Sequence, residues 1–396
     1  MNYSLRTKLN ESFEKLSELL DIPENHYKQA VERYQAIGGW LAREESTIAK
    51  YDPKIYPQGS FLLGTIVKPI TDIEDYDIDL VCELDLTKKE ISQKQLKNMV
   101  GNEVKRYAET NNMKHPPREG NRCWTLEYAE GAQFHMDILP ALPDRESFKL
   151  FLESKGFSPV WTEFAIAITD KRHKNYETID EDWLRSNPKG YAMWFKERMK
   201  VQFERQRKLL AESIKANIED VPEYKVKTPL QQAIQILKRH RDIMFVDDQE
   251  NKPISIIITT LAAHAYNNED NLLEALINIV NGMPKYIQYK QGKPWISNPV
   301  NPTENFADKW IKNPKLKEKF EQWLKKVKTD LEAILSSQDL HNIIEGLKPK
   351  FGDRIINEVA SELFPDYNSP EDTGKIVAPY IKISNPSKPW REKFGR

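Results

Sequence analysis

Residues 58–81 read QGSFLLGTIVKPITDIEDYDIDLV, and the fold turns on how this stretch is parsed. Its end, Tyr76-Asp77-Ile78-Asp79-Leu80-Val81, runs on into Cys82-Glu83-Leu84, the pattern of a strand that becomes buried. At i and i+2 on a strand, Asp77 and Asp79 point to the same face. Two ionised carboxylates at the mouth of an apolar strand are costly unless a positive group compensates them, and a divalent metal is such a group. At the other end, Gly59-Ser60 follows Pro57-Gln58 and precedes a helix predicted from Phe61. Such a turn offers backbone N–H groups and a hydroxyl to a phosphate. The intervening Asp72, Glu74 and Asp75 read as solvated loop charges.

Working outward, a third carboxylate stands out in residues 134–139, FHMDIL, where Asp137 is the lone acid of an apolar strand pattern. Strands are predicted over 78–84, 124–128 and 133–139, the last two joined by a turn at Glu130-Gly131, with an amphipathic helix over 88–112. Phosphoryl transfer with two ions needs one to activate the attacking hydroxyl and one to hold the triphosphate. Asp77, Asp79 and Asp137 are therefore the catalytic and metal-binding candidates. In this reading Asp77 and Asp79 hold two Mg²⁺ or Mn²⁺ ions, while Asp137 binds the activating ion and helps to take the proton. Gln58, Gly59 and Ser60 are the substrate-binding candidates beside them. His135 shares the face of Asp137 but reads first as an ordinary strand residue, and Cys82 as a small core hydrophobe.

The 396 residues allow two domains or one bilobal unit. Helical spacing marks 8–20 and 25–49, punctuated by Asp21-Ile22-Pro23. Beyond about Asp180 the chain becomes mostly helical, with helices predicted over 188–217, 228–245, 254–267, 269–281, 303–335 and 338–347. The last thirty residues are punctuated by proline and read as an irregular tail. The expected division is 1–180 for a catalytic core with the N-terminal helices, 181–365 for a helical lobe and 366–396 for the tail.

Lys+Arg (59) and Asp+Glu (60) nearly cancel, which disfavours long duplex DNA as a partner and favours nucleotides. The run KERMKVQFERQR at 196–207 reads as a solvated helix face. No stretch approaches ~18 consecutive apolar residues, and the N-terminus lacks a secretory pattern, so no membrane association and a cytoplasmic location are expected. Cys82 and Cys123 are too few for a disulfide framework or a zinc site of their own. Among Trp183, Trp194 and Trp295, packing is the ordinary role, with stacking on a base as the alternative.

At Gly59-Ser60, Asp77-Ile78-Asp79 and Asp137 the sequence resembles the DNA-polymerase-β-like nucleotidyltransferases. More narrowly, it resembles the cGAS/DncV-like family, the bacterial oligonucleotide cyclases (CD-NTases) of anti-phage (CBASS) signalling. The resemblance spans roughly 55–310. It implies an α+β, bilobal fold in which a small mixed sheet with helices faces a helical lobe of the oligoadenylate-synthase type. It also implies joining of nucleoside triphosphates, ATP and/or GTP with pyrimidines left open, into a cyclic di- or trinucleotide. Lys238 would reach the donor triphosphate, Ser255 would add a phosphate contact, and the Asn/Pro segment 298–305 would lie near the nucleotide.

By themselves these residues say less. Lys238, Arg239 and Arg241 read as a solvated cationic face, Ser255 as a helix N-cap, and 298–305 as a turn before a helix capped by Thr303. The final Phe394-Gly395-Arg396 is similar to relatives whose tails meet ubiquitin-like conjugation machinery, so regulatory or conjugating partner proteins belong to the expectation. The rival readings are a nucleotidyltransferase that modifies RNA or protein, and an inactive nucleotide-binding regulatory module.

Overall fold

The computed structural model describes residues 1–71, 75–128, 134–215 and 217–365. The Glu130-Gly131 turn, Asp72, Glu74 and the tail 366–396 lie outside the described residues. The strands of the main sheet are β1 (Lys54–Pro57), β2 (Tyr76–Glu83), β3 (Arg118–Glu119), β4 (Trp124–Tyr128), β5 (Phe134–Pro143), β6 (Ile166–Ile168) and β7 (Leu184–Ser186). They run in the order β1-β2-β5-β4-β3, with β6 on β5 and β7 on β6. Among the described residues of this sheet, only β2 and β5 pair in parallel; their neighbours are antiparallel.

Period-2 alternation divides this sheet chemically. Tyr76, Ile78, Leu80 and Cys82 of β2, Trp124 and Leu126 of β4, and Phe134, Met136 and Ile138 of β5 bury one face. That face packs against α2 (Glu24–Ala42) and α4 (Gln93–Thr110). A capping box of Ser92 and Gln95 opens α4. This helix comes so close that a Cβ on Gly101 would overlap the Trp124 ring, whose Nε1 donates to the Lys97 carbonyl at 2.9 Å. The opposite face carries the polar alternates Asp77, Asp79, Thr125, His135 and Asp137.

The N-terminal helices, expected together in the catalytic core, part company. α1 (Tyr3–Leu20) places Leu9, Phe13, Leu16 and Leu20, all fully buried, in the core of the helical lobe. At roughly 1.5–3 kcal/mol per fully buried side chain, these four outweigh any pull from the short Asp21–Pro23 link to the sheet-bound α2. The rest of the lobe is built from α6 (Pro188–Ile214), α7 (Pro229–Met244), α8 (Ser255–Ala265), α9 (Leu272–Gly282), α10 (Asp308–Lys312), α11 (Pro314–Leu335), α12 (Leu340–Phe351) and α13 (Asp353–Leu363). The short helices α3 (Gly59–Leu63) and α5 (Arg145–Ser154) belong to the sheet side. Between α9 and α10 lie two small hairpins, β8 (Gln288–Lys290) with β9 (Lys293–Trp295) and β10 (Ser297–Asn298) with β11 (Asn301–Asn305).

This corrects the expectation for 298–305. Thr303 sits in β11, its hydroxyl donating to Asn301 Oδ1 at 2.7 Å, and the next helix opens only at Asp308. The basic run of α6 is likewise more than a solvated face: Arg198 donates to the carbonyls of Ala263 and Tyr266, and Arg205 pairs with Asp270. Trp183 is core, Trp194 packs on Tyr191 and His264, and Trp295 bonds Ser297 Oγ. No helix among the described residues is long and apolar enough to cross a membrane.

Candidate active site

Register sets the site. In the parallel pair Asp79 lies opposite Asp137, and Asp77 opposite His135, on strands ~4.8 Å apart. On the other flank Thr125 faces Asp137, and its hydroxyl donates to Asp137 Oδ1. Sequence reasoning passed over this threonine because its role depends on strand pairing.

The Gly-Ser turn is fastened directly to the acidic strand. The Gln58 N–H donates to the Asp79 carbonyl at 2.8 Å. Gly59 adopts φ +62°, and a Cβ there would sit 2.5 Å from Asp79 Oδ2. The left-handed backbone and the carboxylate at its shoulder both require glycine. α3 then runs five residues and closes at Gly64, so the helix opens at Gly59 rather than Phe61. Gly59 is exposed, and Gln58 and Ser60 are half-buried beside it.

The carboxylates feel one another. Burial, then repulsion from Asp137 and Asp77, pushes the Asp79 carboxyl up to about 7. Asp77 is also raised, by desolvation first and by Asp137 and Asp75, while His135 and Lys252 draw it down. Its side chain is 85% exposed, so water limits that shift. Among the described residues no three His, Cys, Asp or Glu side chains already converge as a metal ligand set. Asp77, Asp79 and Asp137 share one face of two adjacent strands. The all-oxygen donor set and the raised Asp79 carboxyl fit a hard divalent cation.

Around this centre several expectations change. His135 Nε2 lies 2.8 Å from Asp75 Oδ2, and its Nδ1 lies 3.8 Å from Asp77 Oδ1. Asp75 is thus a partner of the site's histidine and not a solvated loop charge. Lys238, Arg239 and Arg241 are buried, at 4%, 4% and 6% exposure, rather than forming a solvated face. The Lys238 ammonium donates to the Thr65 carbonyl at 2.9 Å and to Thr65 Oγ1 at 3.2 Å. Ser255 is the first residue of α8 rather than its cap, and its Oγ accepts from Arg241 at 2.8 Å. Lys252, whose charge lowers the Asp77 carboxyl slightly, pairs with Asp242 at 3.4 Å. On the far rim, Glu304 of β11 accepts from Asn298 at 2.7 Å and feels Arg122, next to Cys123 on the carboxylate face.

A cavity of about 1090 Å³ lies away from the carboxylates, behind α3, lined by Tyr27, Phe61, Met199 and Tyr224 among others. Volume alone does not make it the reactive site, because the opposed acids and the glycine turn lie on the sheet face instead.

Paired carboxylates on adjacent strands, a Gly-Ser turn seated on one of them and a helical lobe opposite are the architecture of a nucleotidyltransferase fold. Residues 53–140 match the family model described as cyclic GMP-AMP synthase DncV-like, nucleotidyltransferase domain. A c-di-GMP synthase of Roseivirga ehrenbergii is 29% identical over 349 residues, covering 88% of this chain and 85% of that protein. The cyclic dinucleotide synthase CdnG of Bradyrhizobium diazoefficiens is 25% identical over 355 residues, covering 85% and 79%. The structure of CdnG in complex with GTP superposes with a TM-score of 0.67 at 22% identity, over 89% of this chain and 98% of that one. That of an E. coli CdnC:HORMA complex gives 0.57 at 13% identity, over 89% and 97%. Over most of its length the chain is thus similar to CD-NTases, and residues 53–140 match their nucleotidyltransferase domain.

Proposed function

We propose that the protein joins two nucleoside triphosphates into a cyclic dinucleotide on the Asp77/Asp79/Asp137 face, with GTP as a substrate. The observation that carries the reading is the seating of Gly59 against Asp79, itself opposite Asp137. The synthase relatives, one making c-di-GMP and one seen with GTP, support the product class and the base.

In this mechanism the Gly59-Ser60 turn receives the donor triphosphate through backbone N–H groups and the Ser60 hydroxyl. Asp77 and Asp79 would hold two Mg²⁺ or Mn²⁺ ions and Asp137 one of them, to acidify the attacking hydroxyl and neutralise the triphosphate. A ribose hydroxyl of the acceptor attacks the donor α-phosphate, pyrophosphate leaves, and the proton passes toward Asp137. Thr125, donating to Asp137, fixes which oxygen remains available. Repeating the step on the linear product closes the ring.

The family resemblance supports a role in anti-phage signalling, and the HORMA complex of CdnC supports control by a partner protein. The test is incubation with labelled NTPs and Mg²⁺ or Mn²⁺, followed by phosphatase. A resistant product that needs GTP and is lost in Asp77→Asn/Asp79→Asn supports the reading. A labelled RNA or protein instead would point to a macromolecular acceptor.

A further inference from the structure

The Gly-Ser turn and the acidic strand are joined by a strap, residues 64–71, that contains no helix or strand. Its first part is nonetheless buried, with Thr65 at 0% and Ile66 at 6% exposure. Buried carbonyls require donors. Here the donors come from α7 and the lysine just before it. Gln231 Nε2 donates to Leu63 O at 3.0 Å and Lys227 Nζ to Gly64 O at 3.1 Å. Lys238 Nζ donates to Thr65 O at 2.9 Å, and Gln235 Nε2 to Ile66 O at 2.8 Å. Arg239 Nη2 donates to Lys68 O at 2.8 Å and Pro69 O at 3.3 Å.

Residues 231, 235, 238 and 239 stand at i, i+4, i+7 and i+8, one stripe of a helix. The opposite stripe of α7, Leu230, Ala233, Ile234 and Leu237, is anchored in the core of the helical lobe. Gln235 and Lys227 are tied in turn to Asp21, at 3.0 Å and 2.8 Å.

We propose that this side-chain ladder positions the reaction's phosphate turn: α7 fixes the path of the strap, and the strap holds Gly59-Ser60 seated on Asp79. The proposal rests on the function assigned above. Gln231, Gln235 and Lys238 are then positioning residues that act through the strap, and the placement of the helical lobe is felt at the turn. A ladder made partly of a fully buried lysine is an expensive way to satisfy carbonyls that a surface loop would give to water. Its rungs also fall between the two halves of the site, where a shift of order 1 Å costs roughly 10²-fold in rate.

The experiment compares Gln235→Met, Lys238→Met and Lys238→Arg in the full chain, with Lys227→Met as the more exposed rung should Gln235→Met fail to fold. Gln235 is fully buried on Ile66, so it cannot touch a nucleotide. Positioning requires Gln235→Met and Lys238→Met to lower kcat together, by about tenfold or more, with KM little changed and Lys238→Arg recovering part of the loss. In the nucleotide-free protein, amides of 59–66 exchange at least tenfold faster while those of β2 keep their protection. Wild-type kcat and exchange in Gln235→Met would overturn the proposal. So would a defect confined to Lys238→Met and expressed in KM, since that marks a direct phosphate contact. Exchange needs no turnover: a wild type that makes no product, with exchange altered as stated, overturns the assigned function and not the ladder.

Discussion

Gly59→Ala is the sharpest perturbation the structure offers. The new Cβ would lie 2.5 Å from Asp79 Oδ2, roughly 1 Å short of ordinary van der Waals contact. The residue must also hold φ +62°, which costs a non-glycine residue about 1–3 kcal/mol. Gly156 separates these two effects. It has φ +75°, and a Cβ added there would meet nothing within 4 Å, so Gly156→Ala bears the backbone cost alone. Gly156→Ala should therefore lose about 1–3 kcal/mol of stability, and Gly59→Ala at least as much. Only Gly59→Ala must move the turn or the carboxylate by about 1 Å, for which roughly 10²-fold in kcat is the expected penalty. Steady-state synthesis at saturating NTP, beside urea unfolding of both variants, reads the difference. If Gly59→Ala keeps kcat within threefold of wild type, or Gly156→Ala loses as much, the turn is not seated on Asp79 as argued.

Other outcomes follow from the same geometry. Thr125→Val removes the hydroxyl that donates to Asp137 and should lower kcat about tenfold, equivalent to ~1.4 kcal/mol in the barrier; an unchanged rate would remove Thr125 from the site. Mg²⁺ should raise the melting temperature of wild type and not of Asp77→Asn/Asp79→Asn, measured by calorimetry at equal metal, and chelation should abolish synthesis. Burial first, then Arg241, pushes the Lys238 ammonium down to about 7, against ~10.4 for a free lysine. Above that value the unfolded chain binds the extra proton, so Lys238 makes stability rise from about pH 7 toward 10. Urea midpoints of wild type and Lys238→Gln should accordingly diverge in favour of wild type as pH rises; parallel profiles would contradict the burial.

What the sequence made legible was what local pattern controls. Period-2 alternation located β2, β4 and β5 and the face that Asp77 and Asp79 share. Helical spacing found α4, α6, α7, α8 and α9 to within about five residues, but it ran α2 on to residue 49, merged α10 with α11 from residue 303, and left α5 and α13 unread. What it missed depends on tertiary pairing. β1, β6 and β7, of three or four residues each, are too short to carry a period and exist because a neighbouring strand supplies their hydrogen bonds. α1 belongs to the helical lobe because its apolar stripe finds α7, α9 and α13 there, which adjacency in sequence to α2 conceals. Lys238, Arg239 and Arg241 looked like a solvated face because charge is normally exposed; their partners are carbonyls of the strap and of the segment leading into α8, invisible to spacing. Asp75 met His135 for the same reason.

Product formation by the purified protein is the most direct test of the proposed synthesis. Wild type and Asp77→Asn/Asp79→Asn would each be incubated with the four labelled NTPs in Mg²⁺ and in Mn²⁺, treated with phosphatase and chromatographed. Wild type should yield a phosphatase-resistant dinucleotide that disappears when GTP is omitted, and a folded double variant should yield none. Undiminished product from that variant would contradict the assignment of the chemistry to this face.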